Sequence, residues 1–104
     1  MQEPLFKTIS AEDFVKLDLD EVTLVDIREP EEKGLPGLPG SIDVPFSQLG
    51  SKIDLVPKGK PVYVYCKVGE LSDVVAEVLG DRGYEAYSVK GGYNTIWYYR
   101  EGGV

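Results

Sequence analysis

The chain has 104 residues, the size of one domain, and at 42% hydrophobic it carries enough apolar side chain to fill a core. Its 18 acidic residues against 11 basic ones leave a formal charge of −7, which argues against non-specific nucleic-acid binding and against attachment to anionic membranes. It has no histidine and one cysteine, so imidazole bases, Ser-His-Asp triads, H-E-x-x-H zinc sites and internal disulfides are excluded together.

Met1-Gln2-Glu3-Pro4 lacks the basic and apolar regions of a secretory signal, and no apolar run reaches the roughly 18 residues a membrane span needs. A lone thiol suits a reducing compartment, so the expected setting is cytoplasmic. Residues 1–104 are expected to form a single domain.

Phe6-Lys7-Thr8-Ile9 alternates and predicts an edge strand. Ser10 stands three residues before Asp13, an N-cap arrangement with acid in the first turn, and predicts a helix over 12–17 with Phe14 and Leu17 inward. Val22 to Ile27 is rich in β-branched residues and predicts a strand. Arg28 to Glu32 is charged and broken by Pro30, a loop or helix entry. Gly34 to Gly40 repeats Gly-Leu-Pro, too briefly for a triple helix and with glycines too evenly spaced for a dinucleotide fingerprint. It reads as a stiff surface loop leading to a strand at Ser41–Val44, which Pro45 closes. A helical turn is expected at 47–50 and a tight turn at Lys58-Gly59-Lys60.

Pro61 to Tyr65 is the strongest strand signal, with Val62 and Val64 alternating with two tyrosines, and predicts a central strand buried on both sides. A helix follows at 71–81, with Leu71, Val74, Val75, Val78 and Leu79 spaced as one apolar stripe, and Gly83 stops it. Tyr84 to Val89 predicts another strand, Gly91-Gly92 a break, and 93–101 a last helix with aromatics on its packing side. Strands alternating with helical segments imply an α/β fold, a mostly parallel sheet flanked by helices on both faces. In such sheets ligands sit beyond the carboxyl ends of the strands, where the segment Cys66–Glu70 lies.

Cys66 closes a buried strand a few residues before a helix. The intervening loop holds Gly69, which permits a tight or left-handed backbone. Successive N–H groups in such a loop converge as an anion nest, and the following helix adds its positive end. Donors arranged that way stabilise a thiolate, and Lys67 adds a charge next door. The plain alternative is that Cys66 is one more small core hydrophobe, the usual place of a free cysteine. Asp26 and Arg28 either brace the loop after the second strand or touch the site, and Glu32 braces with them or is merely solvated. The seven tyrosines are read as strand and core residues rather than nucleobase platforms, with Tyr98-Tyr99 packing the last helix or forming a contact patch.

Four segments in order give the chain a resemblance to the rhodanese-like (sulfurtransferase) domain. Val25-Asp26-Ile27-Arg28-Glu29-Pro30-Glu31-Glu32 is similar to the family's D-[VI]-R-x-x-x-E segment, and Leu38-Pro39-Gly40-Ser41-Ile42-Asp43-Val44-Pro45 to its I-P-G-A-x-N-I-P segment. Val64-Tyr65-Cys66-Lys67-Val68-Gly69-Glu70-Leu71-Ser72 is similar to its strand, active-site cysteine and C-x-x-G-x-x-S loop. Gly83-Tyr84 and Val89-Lys90-Gly91-Gly92-Tyr93 complete the match. The chain departs from the family at Leu71, where arginine is frequent, and at Gly37, where histidine is frequent.

The resemblance implies a single domain with a five-stranded sheet, and a catalytic Cys66 that takes a sulfane sulfur from thiosulfate or a persulfide donor. The Cys66 persulfide then passes it to a thiol, cyanide or a sulfur-carrier protein. The loop amides and charges of Lys67, Val68, Gly69, Glu70 and Leu71 would bind the transferred group as an oxyanion hole does, with Asp26, Arg28 and Ser72 in support. No metal or organic cofactor is implied beyond the transient covalent persulfide. Two other readings stand beside it. One is a catalytically silent interaction or regulatory module on the same fold. The other is a phosphatase or arsenate reductase, which needs arginine six positions after the cysteine to grip phosphate bidentately. That position is Ser72.

Overall fold

Ser10 is both the last residue of strand β1 (Lys7–Ser10) and the cap of helix α1 (Ala11–Phe14), its side chain accepting from the Asp13 N–H at 3.0 Å. In the computed structural model, which describes residues 5–32, 34 and 36–101, α1 is shorter than its sequence predicts. The chain tightens after Phe14, where Lys16 and Leu17 donate to the carbonyls of Asp13 and Phe14 three residues back. Asp18 then caps a separate 3₁₀ turn, Leu19–Glu21.

The remaining strands are β2 (Thr23–Asp26), β3 (Ile42–Asp43), β4 (Val62–Tyr65) and β5 (Ala86–Lys90). They form one sheet in the order β1-β5-β4-β2-β3, with every neighbouring pair parallel. The edge position of β1 and the central, wholly buried position of β4 follow the sequence expectation. β3 is shorter than the predicted 41–44, but its pairing outlasts it. Val44 donates to Asp26 O and Phe46 to Ile27 O, on either side of Pro45, which has no N–H to give.

Alternate residues of the strands feed two cores. Val25, Ile27, Val62, Val64 and Cys66 face helix α3 (Leu71–Asp81), which contributes Val75, Ala76 and Leu79. Leu24, Tyr63, Tyr65 and Val89 face α1 and helix α4 (Gly92–Arg100), which contribute Phe14, Tyr93 and Ile96. On that second face Tyr63 and Tyr87, register partners on β4 and β5, stack with centroids 4.4 Å apart. Helix α2 (Leu49–Lys52) lies between two 3₁₀ turns, Phe46–Gln48 and Ile53–Leu55, on the way into β4.

Three expectations need correction. α3 has the predicted bounds but a rotated face: Ser72, Val75, Ala76 and Leu79 are buried, while Leu71 and Val74 are 43% and 48% exposed. On α4, Tyr93 and Ile96 pack inward but Trp97 and Tyr98 are exposed. In the segment 34–40, of which 35 lies outside the described residues, Leu38 is buried rather than on the surface. Its N–H donates to the Tyr65 hydroxyl at 2.9 Å, and the Tyr93 hydroxyl donates to Pro36 O at 2.7 Å, so two tyrosines of the second core hold this loop.

The chain leaves β2 toward β3 on one side and leaves β4 toward β5 on the other. The order therefore reverses between β2 and β4, and a crevice opens beyond their carboxyl ends. Ile27 and Arg28 follow β2 there, and Cys66 and Lys67 follow β4.

Candidate active site

Cys66 ends the most buried strand and is itself 5% exposed. Its Sγ accepts a hydrogen bond from the Gly69 N–H at 3.0 Å. That bond needs the loop to double back within three residues, and Gly69 makes the bend at φ +92°. A side chain at Gly69 is doubly excluded, because a Cβ there would stand 2.7 Å from the Gly91 nitrogen.

The loop is held from behind by the start of α4. The Tyr93 N–H donates to Cys66 O at 2.6 Å and the Asn94 N–H to Lys67 O at 3.3 Å, so two orphan donors of a helix start find partners on the cysteine loop. The described peptide bonds are trans. Carbonyls of residues 66 and 67 aimed at α4 therefore turn the N–H groups of Lys67 and Val68 the opposite way. Gly92 makes this approach possible: at φ +63°, a Cβ on it would lie 2.6 Å from Cys66 O and from the Lys67 carbonyl. The glycine pair after β5, read from sequence as punctuation, is thus what seats the cysteine loop.

Cys66 lines a cavity of about 140 Å³. Ile27, Val68 and Leu71 form its apolar walls, and Lys67, Glu32 and Glu70 its charged ones. A second cavity of about 330 Å³ adjoins it, sharing Glu32 and Lys67 and adding Arg28, Tyr93 and Asn94. Of the residues proposed from sequence, Cys66, Lys67, Val68, Glu70 and Leu71 line the first cavity, and Gly69 bonds the sulfur. A hollow at the other end of the sheet, among Lys58, Lys60 and Tyr84, holds no nucleophile, and its lysines already donate to Arg82 O and Asp20 O.

Asp26 and Arg28 form a buried fork. Arg28 Nε lies 2.9 Å from Asp26 Oδ1, its Nη2 lies 2.7 Å from Oδ2, and its backbone N–H donates to Oδ1 at 3.0 Å. The guanidinium also lies over the Tyr93 ring at 4.0 Å, tying the end of β2 to α4. Burial on its own would lower the Arg28 pKa, but the hydrogen bonds and charge of Asp26 raise it above its ordinary value, so the guanidinium stays charged. The fork reaches Tyr93, whose N–H holds Cys66 O, and Arg28 also walls the second cavity.

Ser72 does not line the cysteine cavity among the described residues. It is fully buried and accepts from the Ser88 hydroxyl at 2.8 Å, a joint between α3 and β5. The position where a phosphatase loop needs arginine is therefore closed to solvent. Gly37 likewise has no room for a side chain, since a Cβ there would stand 2.6 Å from Asp26 Oδ2 and 3.0 Å from the Tyr65 hydroxyl. The sequence reading missed Ile27 and Asn94 as cavity walls and assigned Glu32 only to bracing or solvent. Glu32 does brace, accepting from the Glu29 N–H at 3.0 Å, but it also walls both cavities.

A family model described as the rhodanese-like domain matches residues 10–97. The chain is 33% identical over 93 residues to the protein YqhL of Bacillus subtilis (strain 168), covering 88% of this chain and 73% of that one. It is 30% identical over 76 residues to a protein named sulfurtransferase from Allochromatium vinosum, covering 72% and 71% of the two chains. A solved structure of a rhodanese-related protein from Thermoplasma volcanium superposes with a TM-score of 0.81 at 29% identity, covering 93% of this chain and 94% of that one. Other curated relatives are much longer. The chain spans 22% and 14% of two of them whose names include sulfurtransferase.

Proposed function

The chain belongs to the rhodanese-like domain family, and from that premise we propose that it is a sulfurtransferase that carries a sulfane sulfur on Cys66. The thiolate of Cys66 attacks the outer sulfur of a donor such as thiosulfate or a persulfide. The donor's sulfur–sulfur bond breaks, its electron pair leaves with sulfite or thiolate, and Cys66 becomes a persulfide. A thiophilic acceptor (a thiol, cyanide or a sulfur-carrier protein) then attacks the terminal sulfur and frees the cysteine. The chemistry needs no metal or organic cofactor, and a reducing, cytoplasmic setting suits its free thiol.

The observation that carries this reading is the Gly69 N–H aimed at Cys66 Sγ at the floor of an open cavity. A donor fixed in place before reaction stabilises negative charge on the sulfur at no cost of reorganisation, as an oxyanion hole does. The same fixed loop holds the cysteine between turnovers. Incubation of the folded protein with thiosulfate or a thiol persulfide should add the mass of one sulfur to Cys66, and Cys66→Ser should add none. No gain with either donor, on protein with a free thiol, would refute sulfur transfer.

A non-catalytic interaction module is the second reading, favoured by the exposed apolar side chains of Val68, Leu71 and Val74 beside the cavity mouth. It requires that Cys66→Ala leave the biological role intact.

A further inference from the structure

Two acidic residues, Glu32 and Glu70, line the cavity that Cys66 lines. Glu32 is fixed there by the turn it closes, and Glu70 stands at the foot of α3. Against them, among the described residues, the cavity offers one cation, Lys67, and three apolar walls. Glu32 and Lys67 also wall the adjoining 330 Å³ cavity, which with Arg28 and Glu31 presents both signs of charge.

This balance bears on the donor. Attack of the Cys66 thiolate on thiosulfate gathers three negative charges, one from the cysteine and two from the donor. The products, a persulfide anion and sulfite, carry the same three. Each carboxylate opposes that encounter, and Lys67 offsets one charge only. An organic persulfide makes no such demand. In Cys–S⁻ + R–S–SH → Cys–S–SH + R–S⁻ the thiolate attacks the outer sulfur and the donor's S–S bond breaks with its electron pair on R–S⁻. The outer sulfur keeps its proton, and no outside oxidant or reductant enters. Such a donor places carbon where thiosulfate places a sulfonate, against Ile27, Val68 and Leu71.

Resting on the sulfur-transfer reading above, we propose that this site takes its sulfur from small organic persulfides of low net charge, and that Glu32 and Glu70 are specificity residues that turn dianionic donors away. The apolar walls hold the carbon next to the reacting sulfurs. The adjoining cavity, with Lys67 and Glu32 on its walls, accommodates the polar end of an amino-acid-sized thiol.

The test compares kcat/KM for loading Cys66 from thiosulfate and from cysteine persulfide in wild type, Glu70→Gln, Glu32→Gln and the double variant. Wild type should prefer cysteine persulfide. Each neutralised carboxylate should raise the thiosulfate-to-persulfide ratio by roughly three- to tenfold at low ionic strength, and added salt should shrink that gain. Glu70 is exposed and caps nothing with its side chain, so Glu70→Gln reads the effect even where Glu32→Gln loosens the turn. A wild type that prefers thiosulfate, or a ratio unmoved in Glu70→Gln and the double variant, overturns the donor inference alone. Failure of both donors to load Cys66 in every variant overturns the sulfur-transfer reading with it.

Discussion

Asp26 has no exposed surface, and Arg28 beside it is 2% exposed. Two charges so deeply placed are tolerable only because each satisfies the other, and removal of one partner strands the second in a low-dielectric core. Asp26→Ala should therefore cost about 3–5 kcal/mol of folding free energy, measured by urea denaturation. That is a large share of the roughly 5–15 kcal/mol available to a domain of this size. The sequence offers Asp26 and Arg28 as a pair because they flank the exit of the second strand, where opposite charges two residues apart can meet. It did not say whether the pair braces or catalyses. The bidentate geometry gives the Asp26 carboxylate to Arg28 and the Tyr93 ring lies over the guanidinium, so the pair joins the end of β2 to α4, while Arg28 also walls the second cavity.

The bounds of α3 were legible and its orientation was not. Leu71, Val74, Val75, Val78 and Leu79 form one helical stripe in the sequence, and Ser72, Val75, Ala76 and Leu79 form another. Both have helical spacing, so periodicity alone cannot choose between them. The sheet chooses, because β5 presents the Ser88 hydroxyl, and a serine on α3 meets it better than a leucine would. Leu71 and Val74 are then left outside, the former at the cavity mouth. Urea midpoints check this rotation directly. Leu79→Ala should cost about 2–5 kcal/mol, whereas Val74→Ser should move stability by no more than about 0.5 kcal/mol. Equal losses from the two would place the stripe where periodicity alone puts it.

Across the whole molecule, the tyrosines carry a linkage between fold and pH. Burial raises the Tyr65 pKa well beyond its ordinary value, and the hydrogen bond to Glu85 with burial pushes Tyr87 up to about 12. An unfolded tyrosine titrates near pH 10. Because the folded values lie above the unfolded one, the native state holds these protons more tightly. Their contribution to stability is complete below about pH 10 and is lost as the pH climbs through the folded values. Thermal melts should show a Tm insensitive to these groups up to about pH 10 and falling above it. The fall should be shallower in Tyr65→Phe, and tyrosinate absorbance should rise with the loss of structure. The same tyrosines join distant segments, since Tyr65 reaches Leu38 and Ser41 while Tyr93 reaches Pro36 and Arg28.

The sequence by itself determined the alternation of strands and helices, the central burial of β4, the Ser10 cap and the placing of the lone thiol at a strand end. These depend on period, propensity and chain neighbours, all of which are local. Only the tertiary structure decided that Gly92 and the Tyr93 amide seat the Cys66 loop, that Ser72 turns from the cavity to Ser88, and that Glu32 lines one cavity with Cys66. Each of those contacts joins segments far apart in the chain. They exist because five parallel strands reverse their order between β2 and β4, and a property of strand order is written in no single stretch of residues.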